Sequence, residues 1–279
     1  MSQGNAGIEP NAPLSSSDQV GVGIPPILFQ TWKVRSDLPE YFAVARKTLL
    51  DLNVEFSFPL WDDADNRNFI ERHFPWFLPT YDAYPREIYR ADAVRYFFLY
   101  AFGGVYADLD VVGLRSLQSL VGSPHVVLGR MGFDRDFRHA IPNAAMASAP
   151  RQPFWLYVIS LMMELSEKAL KLEPEFVTGP VVLKRAVDDF ESDQGRIREI
   201  AALLPEGLQP VAPAALQLLE PHVWFPMNWN DPVHRHLRDM YVAQGAMPTY
   251  ADIQKMFPES TLATFWTQSW GTDPAPLNA

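Results

Sequence analysis

The sequence predicts an α/β protein with a central, mostly parallel sheet flanked by helices. Three observations predict it. Short apolar runs alternate with helical periodicity from Ile27 to His73. A long apolar helical segment, Arg86 to Phe102, ends at Gly103-Gly104 and feeds into another extended run. That run carries two aspartates, Asp108 and Asp110, one residue apart. Strand, helix, strand, helix in this order is the pattern of a parallel sheet.

Residues 1–22, rich in Ser, Asn, Gly and Pro, read as a disordered leader, which leaves 23–279 as one domain. Ile27-Leu28-Phe29 is a short buried strand, with Gln30-Thr31-Trp32 at its carboxyl end. Glu40 to Asp51 has the apolar spacing of a helix (Phe42, Val44, Ala45, Leu49, Leu50). Val54 to Trp61 alternates and reads as the next strand. Asp62-Asp63-Ala64-Asp65 then caps a helix running to about His73, with acids at the positive end of its dipole. Pro85 opens the helix 86–102, and Gly103-Gly104 closes it. Val105, Ala107, Leu109 and Val111 alternate with Tyr106, Asp108 and Asp110, so the aspartates belong to one strand face. Pro124 to Gly129 reads as a strand and Phe154 to Lys171 as an amphipathic helix. Thr178-Gly179-Pro180 breaks the chain before a helix from Val181 to Phe190. Past Glu206 the pattern is irregular, rich in proline and aromatics.

Composition narrows the function. The 279 residues are 48% hydrophobic and 20% charged, an ordinary globular balance. A formal net charge of −10 and the lack of a Lys/Arg-rich run argue against nucleic-acid binding. There is no cysteine, which excludes disulfides, thiol catalysis and cysteine-ligated zinc and fits a cytoplasmic location. Met1 to Gln19 lacks the basic and apolar regions of a signal peptide, and no apolar run reaches the roughly 18 residues of a membrane span. Peripheral contact with the inner membrane face is compatible with this pattern.

Two neighbouring anions in an apolar strand repel and lose hydration. A divalent cation makes such an arrangement favourable, and Mg²⁺ or Mn²⁺ on one or two carboxylates completes its shell with water and phosphate oxygens. The preceding helix adds Arg90, Asp92 and Arg95. Asp92 and Arg95, three apart, share a face. Exposed, they form a pair worth at most about 1 kcal/mol. Their apolar neighbours place them instead in a buried setting, where charges need partners or a ligand. Arg90 and Arg95 are placed to meet phosphates or Asp110, and Asp92 to accept from a hydroxyl.

Four segments in order carry a resemblance: Ile24 to Trp32, Leu60-Trp61-Asp62-Asp63, Arg90 to Tyr96, and Gly103-Gly104-Val105-Tyr106-Ala107-Asp108-Leu109-Asp110. Together they resemble glycosyltransferase family 32, the sugar transferases containing a DXD motif. Weaker matches follow at Ile141 to Pro150, Thr178-Gly179-Pro180 and Gln268-Ser269-Trp270. The resemblance implies a GT-A-like fold, a nucleotide-sugar donor such as a UDP- or GDP-hexose, and Mn²⁺ or Mg²⁺. It implies transfer to a hydroxyl of a glycan or lipid acceptor, with retention. In such enzymes Thr31 and Trp32 would border the base, and Arg90, Asp92 and Arg95 the ribose, sugar and phosphates. Asp108 would face ribose or metal, Asp110 would ligate the metal, and Asn143 and Gly179 would contact the donor sugar. Members of the family often carry histidines just before a final Ser-Trp. Here the segment reads Thr264-Phe265-Trp266-Thr267-Gln268-Ser269-Trp270, so the resemblance implies that Ser269 or a neighbouring oxygen substitutes as third metal ligand, or that metal binding is weaker. Residues 264–270 then read as a lid, with Ser269 and Trp270 closing over the donor, or as a packed aromatic terminus.

Two alternatives stand beside this reading. Asp108-Leu109-Asp110-Val111-Val112 also fits the haloacid-dehalogenase phosphatase pattern, with Asp108 as nucleophile and Asp110 as acid/base. A sugar-nucleotide-binding module without transfer is the other. Asp62 to Asn66 is a helix cap rather than a calcium loop, because Asn68 stands where an EF-hand needs glycine. His234 and His236 either share a strand face or, as the better reading, are surface histidines. The aromatic clusters 74–78 and 224–229 pack in the core or in part form an acceptor platform.

Overall fold

The computed structural model describes residues 8–9, 23–190, 194–243 and 248–267. The chain begins with β1 (Leu28–Thr31), α1 (Glu40–Leu52), β2 (Leu60–Trp61), α2 (Asp63–His73), α3 (Leu78–Ala83) and α4 (Glu87–Ala101). It continues with β3 (Gly104–Ala107), β4 (Val111–Gly113), β5 (Val126–Gly129), β6 (Ala145–Ser148), α5 (Pro153–Ser166), α6 (Pro174–Val177) and α7 (Pro180–Asp189). The last part holds α8 (Gln194–Ala201), β7 (Leu216–Leu219), α9 (Pro221–Trp224), α10 (Pro232–Ala243), α11 (Tyr250–Met256) and β8 (Leu262–Thr264).

The main sheet has the order β2-β1-β3-β6-β5-β7, and β4 and β8 form a separate two-stranded ribbon. β1 pairs parallel with β2 and β3, and β5 pairs parallel with β7. β6 is antiparallel to both β3 and β5, so the remaining five strands of the sheet all run the same way. This is the mostly parallel, helix-flanked α/β sheet that the sequence predicts.

Helix α4 is the spine beneath the sheet. All residues from Asp92 to Ala101 are buried, so it is covered on every side rather than amphipathic, and its two charges, Asp92 and Arg95, are paired. Phe98 packs against Phe29 and Trp61, with ring centroids at 4.9 and 5.0 Å, and Phe69 joins them. Each such aromatic contributes about 1.5–3 kcal/mol by burial. The helix stops where Gly103 and Gly104 take φ of 69° and 90°. A Cβ on Gly104 would lie 2.7 Å from the Ile27 carbonyl oxygen, so only glycine lets β3 enter beside β1.

Three sequence expectations change. The aspartates are not on one strand: β3 ends at Ala107, and Asp108 to Val111 form a turn closed by Val111 N–H donating to the Asp108 carbonyl at 3.1 Å. Aspartate competes for backbone groups and favours such a turn over a strand interior. His234 lies on helix α10, where its Nδ1 accepts from the Asn228 N–H, so a shared strand face with His236 does not form. The strand expected from Val54 shrinks to Leu60–Trp61 plus a bridge at Ser57, because Pro59 has no N–H to donate. Most of residues 1–22 lies outside the described residues. Ile8, within the expected disordered leader, packs on the core, and its carbonyl accepts from the Trp61 indole at 3.0 Å. No described helix is long and apolar enough to cross a membrane.

Candidate functional site

The carboxyl ends of β1 and β3 open into a cavity of about 480 Å³. Its wall includes Thr31, Trp32, Asp63, Asp92, Arg95, Asp108, Asp110, Asn143, Trp229 and Thr267. The aspartates therefore reach one space, although a turn rather than a strand carries them there.

Arg95 organises the floor. Its Nη2 lies 2.9 Å from Asp92 and its Nη1 3.1 Å from Asp108. The Nη1 also donates to the Asn143 carbonyl at 2.9 Å, and the guanidinium stacks over the Tyr106 ring at 4.5 Å. Burial opposes its charge, but Asp108, Tyr106 and Asp92 outweigh that and raise its pKa, so it stays protonated. Asn143 turns its amide back to donate to Asp92 at 3.0 Å and lies 3.3 Å from the Tyr96 hydroxyl. Burial pushes the Asp92 carboxyl up, against Arg95 and the hydrogen bonds from Asn143 and Thr178. A side chain with this many fixed donors is positioned rather than mobile.

Asp108 accepts from the Tyr106 hydroxyl at 2.8 Å. Burial raises its carboxyl to about 7, against Arg95, and the charge of Asp110 adds to the rise. Asp110 is held from the far end of the chain: Thr267 donates its backbone N–H and its hydroxyl to Oδ2. The Tyr41 hydroxyl is buried without a hydrogen-bond partner, and its phenol is pushed up by burial and then by Asp110. Two hard oxygen donors, mutually repelling and facing one cavity, suit Mg²⁺ or Mn²⁺ by charge and chemistry. Among the described residues no cluster of three or more His, Cys, Asp or Glu is placed to hold an ion, so any metal would draw further oxygens from water or ligand.

The other expected residues divide. Thr31 and Trp32 line the cavity, and the Trp32 indole donates to the Asp37 carbonyl at 2.8 Å, which fixes its ring. Arg90 does not line it: Glu87 and the Tyr84 carbonyl hold its guanidinium. Gly179 is not on the wall either. It lets α7 approach Glu175, where a Cβ would lie 2.7 Å from the Glu175 Cα and 3.3 Å from Asp92 Oδ2. Ser269 and Trp270 lie outside the described residues. Asp63 and His139 line the cavity without a sequence signal that marks them as site residues, whereas Thr267 falls in the 264–270 segment read as a lid. The sequence places Asp63 within a cap; Asp62 and Asp65 do form that capping box, and Asp63, one residue on from Asp62, lines the cavity.

The mostly parallel, helix-flanked sheet with acidic side chains at its carboxyl edge is consistent with the GT-A-like α/β class that the sequence predicts. Residues 39–127 match the family described as the glycosyltransferase sugar-binding region containing a DXD motif. It is 43% identical over 136 residues to inositol phosphoceramide mannosyltransferase 3 of Schizosaccharomyces pombe, covering 49% of this chain and 36% of that protein. It is 38% identical over 136 residues to the mannosyl phosphorylinositol ceramide synthase CSH1 of Saccharomyces cerevisiae, covering 49% and 34%. The initiation-specific alpha-1,6-mannosyltransferase of Candida albicans is 31% identical over 110 residues, covering 37% and 29%. The chain thus spans about a third of the length of these curated relatives. A solved PaToxG glycosyltransferase aligns at a TM-score of 0.46 and 16% identity over 65% of this chain and 75% of that one, too slight a likeness to bear on the fold.

Proposed function

We propose that the chain transfers a hexose from a nucleoside diphosphate sugar to a hydroxyl, with retention at the anomeric carbon. The observation that carries this reading is the convergence of Asp92, Arg95, Asp108 and Asp110 on one cavity at the carboxyl edge of the sheet. Trp32 and Thr31 would wall the base. Asp92 and Asn143, fixed by Arg95, would accept from and donate to sugar hydroxyls. Asp108 and Asp110 would hold a divalent cation, which when bound neutralises the diphosphate as it leaves. The acceptor oxygen bonds the anomeric carbon from the face the leaving group departs, the anomeric C–O bond to phosphate breaks, and the acceptor proton passes to the departing phosphate oxygen.

The relatives named as mannosyltransferases of inositol phosphoceramide support a mannosyl donor and a glycolipid acceptor. A lipid acceptor would bring the chain to a membrane surface, and the cysteine-free sequence supports the cytoplasmic side.

A panel of UDP- and GDP-sugars with Mn²⁺, scored for thermal shift, donor hydrolysis and transfer, tests the reading. Donor-dependent stabilisation with turnover, lost on chelation and restored by Mn²⁺, is expected. Full activity of Asp110→Ala would overturn the assignment, and donor binding without any turnover would favour the non-transferring module.

A further inference from the structure

A second cluster on the same cavity is not used by the donor reading. His139 comes from the loop between β5 and β6, Glu175 from α6 and Trp229 from the segment after α9. Each lines the cavity. The His139 ring packs against Trp229 at 5.2 Å and Phe137 at 5.4 Å, and Phe137 also touches Trp229 at 5.3 Å. Both His139 ring nitrogens are buried without hydrogen-bond partners, although Nε2 lies 3.8 Å from Glu175 Oε1. Buried polar atoms are rarely left unpaired, and those that are commonly mark a missing ligand or water. Here the unpaired nitrogens belong to a ring that lines the cavity, beside a carboxylate and a partly exposed indole. Burial lowers the His139 pKa, with Arg138 adding to it, so the ring is neutral near pH 7 and offers one donor and one acceptor.

An indole face with a neighbouring neutral imidazole and a carboxylate has the chemistry to bind a sugar ring. The ring's C–H face stacks on the aromatic, and its hydroxyls find one donor and two acceptors. Asp92 lies close enough to Glu175 to raise its pKa, after burial and Glu173. The cluster therefore borders the residues assigned to the donor sugar. It makes no recorded ring contact, ion pair or hydrogen bond with Trp32 or Asp63 among the described residues.

We propose that His139, Glu175 and Trp229 form an acceptor subsite for a hydroxylated six-membered ring, stacked on Trp229 with its hydroxyls bonded to His139 and Glu175. This rests on the donor reading of the adjoining site. The ring could come from a soluble glycan or from a glycolipid headgroup, and the two are separable.

The test is binding, read without turnover. With full-length protein saturated with GDP or UDP and Mn²⁺, methyl α-D-mannopyranoside, methyl α-D-glucopyranoside and methyl α-D-galactopyranoside are titrated by saturation-transfer NMR. In a parallel arm, dodecyl α-D-mannoside in phosphatidylcholine vesicles is measured by co-sedimentation against plain phosphatidylcholine vesicles. At least one pyranoside should bind in one arm, the arm naming its source. Trp229→Ala and His139→Ala should each weaken it by tenfold or more, Trp229→Phe by about threefold or less, with nucleoside diphosphate affinity changed less than twofold in all three. Unaltered pyranoside binding in Trp229→Ala would overturn the subsite, as would nucleoside diphosphate binding with no pyranoside bound in either arm. Failure of GDP and UDP themselves to bind would overturn the donor reading and the subsite with it. Trp229 is only half-buried, so a folded Trp229→Ala protein is expected, and Trp229→Phe retains a stacking face if it is not.

Discussion

Thr267 donates both its backbone N–H and its hydroxyl to the same oxygen of Asp110, at 3.1 and 3.0 Å, from 157 positions further along the chain. The residue before it, Trp266, sits at φ 55°, a conformation that non-glycine residues hold only when their surroundings demand it. The Trp266 indole meets that demand by donating to the Met227 carbonyl at 2.7 Å. Thr267→Val removes one charge-assisted hydrogen bond and leaves the backbone donor. At about 1.5 kcal/mol, this predicts a fall of roughly tenfold in kcat/KM. Steady-state transfer kinetics at fixed Mn²⁺ measure it, and a rate within twofold of the parent would contradict it.

Arg95 is 5% exposed and bridges two carboxylates, so removing it strands buried anions. Arg95→Met should cost about 3–5 kcal/mol of folding stability, more than an exposed ion pair could account for. Urea unfolding followed by circular dichroism gives the number. A shift below about 1 kcal/mol would show that water reaches the network.

Asp63 links stability to pH. Burial, then Glu87, raises its carboxyl from 3.8 to about 6. The folded pKa is the higher one, so ionising Asp63 destabilises the fold. That penalty is absent below about pH 4, grows between 4 and 6, and is fully present above 6. The group is partly solvated, so screening reduces the effect to about 1 kcal/mol. Asp63→Asn should therefore raise the melting temperature at pH 7.5 and match the parent near pH 4. Paired thermal melts across that range decide it, and a gap that widens on acidification would reverse the sign.

Gly179→Ala places a Cβ 2.7 Å from the Glu175 backbone in an ordinary backbone conformation, so its effect is one of packing alone. A loss of about 1–3 kcal/mol is expected. Gly207→Ala, where an added Cβ meets nothing within 4 Å, is the matched control and should shift stability by less than about 0.5 kcal/mol. Chemical denaturation of the two variants side by side tests the contrast.

Local patterns were easy to read. The helix from Glu87 to Ala101, its Gly-Gly stop and the Asp62–Asp65 capping box rest on neighbouring residues, and the sequence displays them. The aspartate pair was visible too, but its turn was not: apolar alternation through Leu109 and Val111 outweighed the turn preference of aspartate. The hold of Thr267 on Asp110 escaped because it exists only once distant strands pair, and no spacing records that. Arg90 was misplaced for a geometric reason. Five positions from Arg95 on a helix is 140° around the axis, far enough to turn it toward Glu87 and Tyr84.

The pairing of Val111–Gly113 with Leu262–Thr264 has a consequence for biosynthesis. The aspartate turn leaves the ribosome long before the strand that anchors its far side. Until that strand arrives, the sheet and the Arg95 network can form while Asp110 stays untethered. Pairings this distant in sequence form slowly, so competence would lag behind compactness in a newly made chain. Synthesis halted before Thr264 would yield a protein folded around its core and unable to fix the second carboxylate.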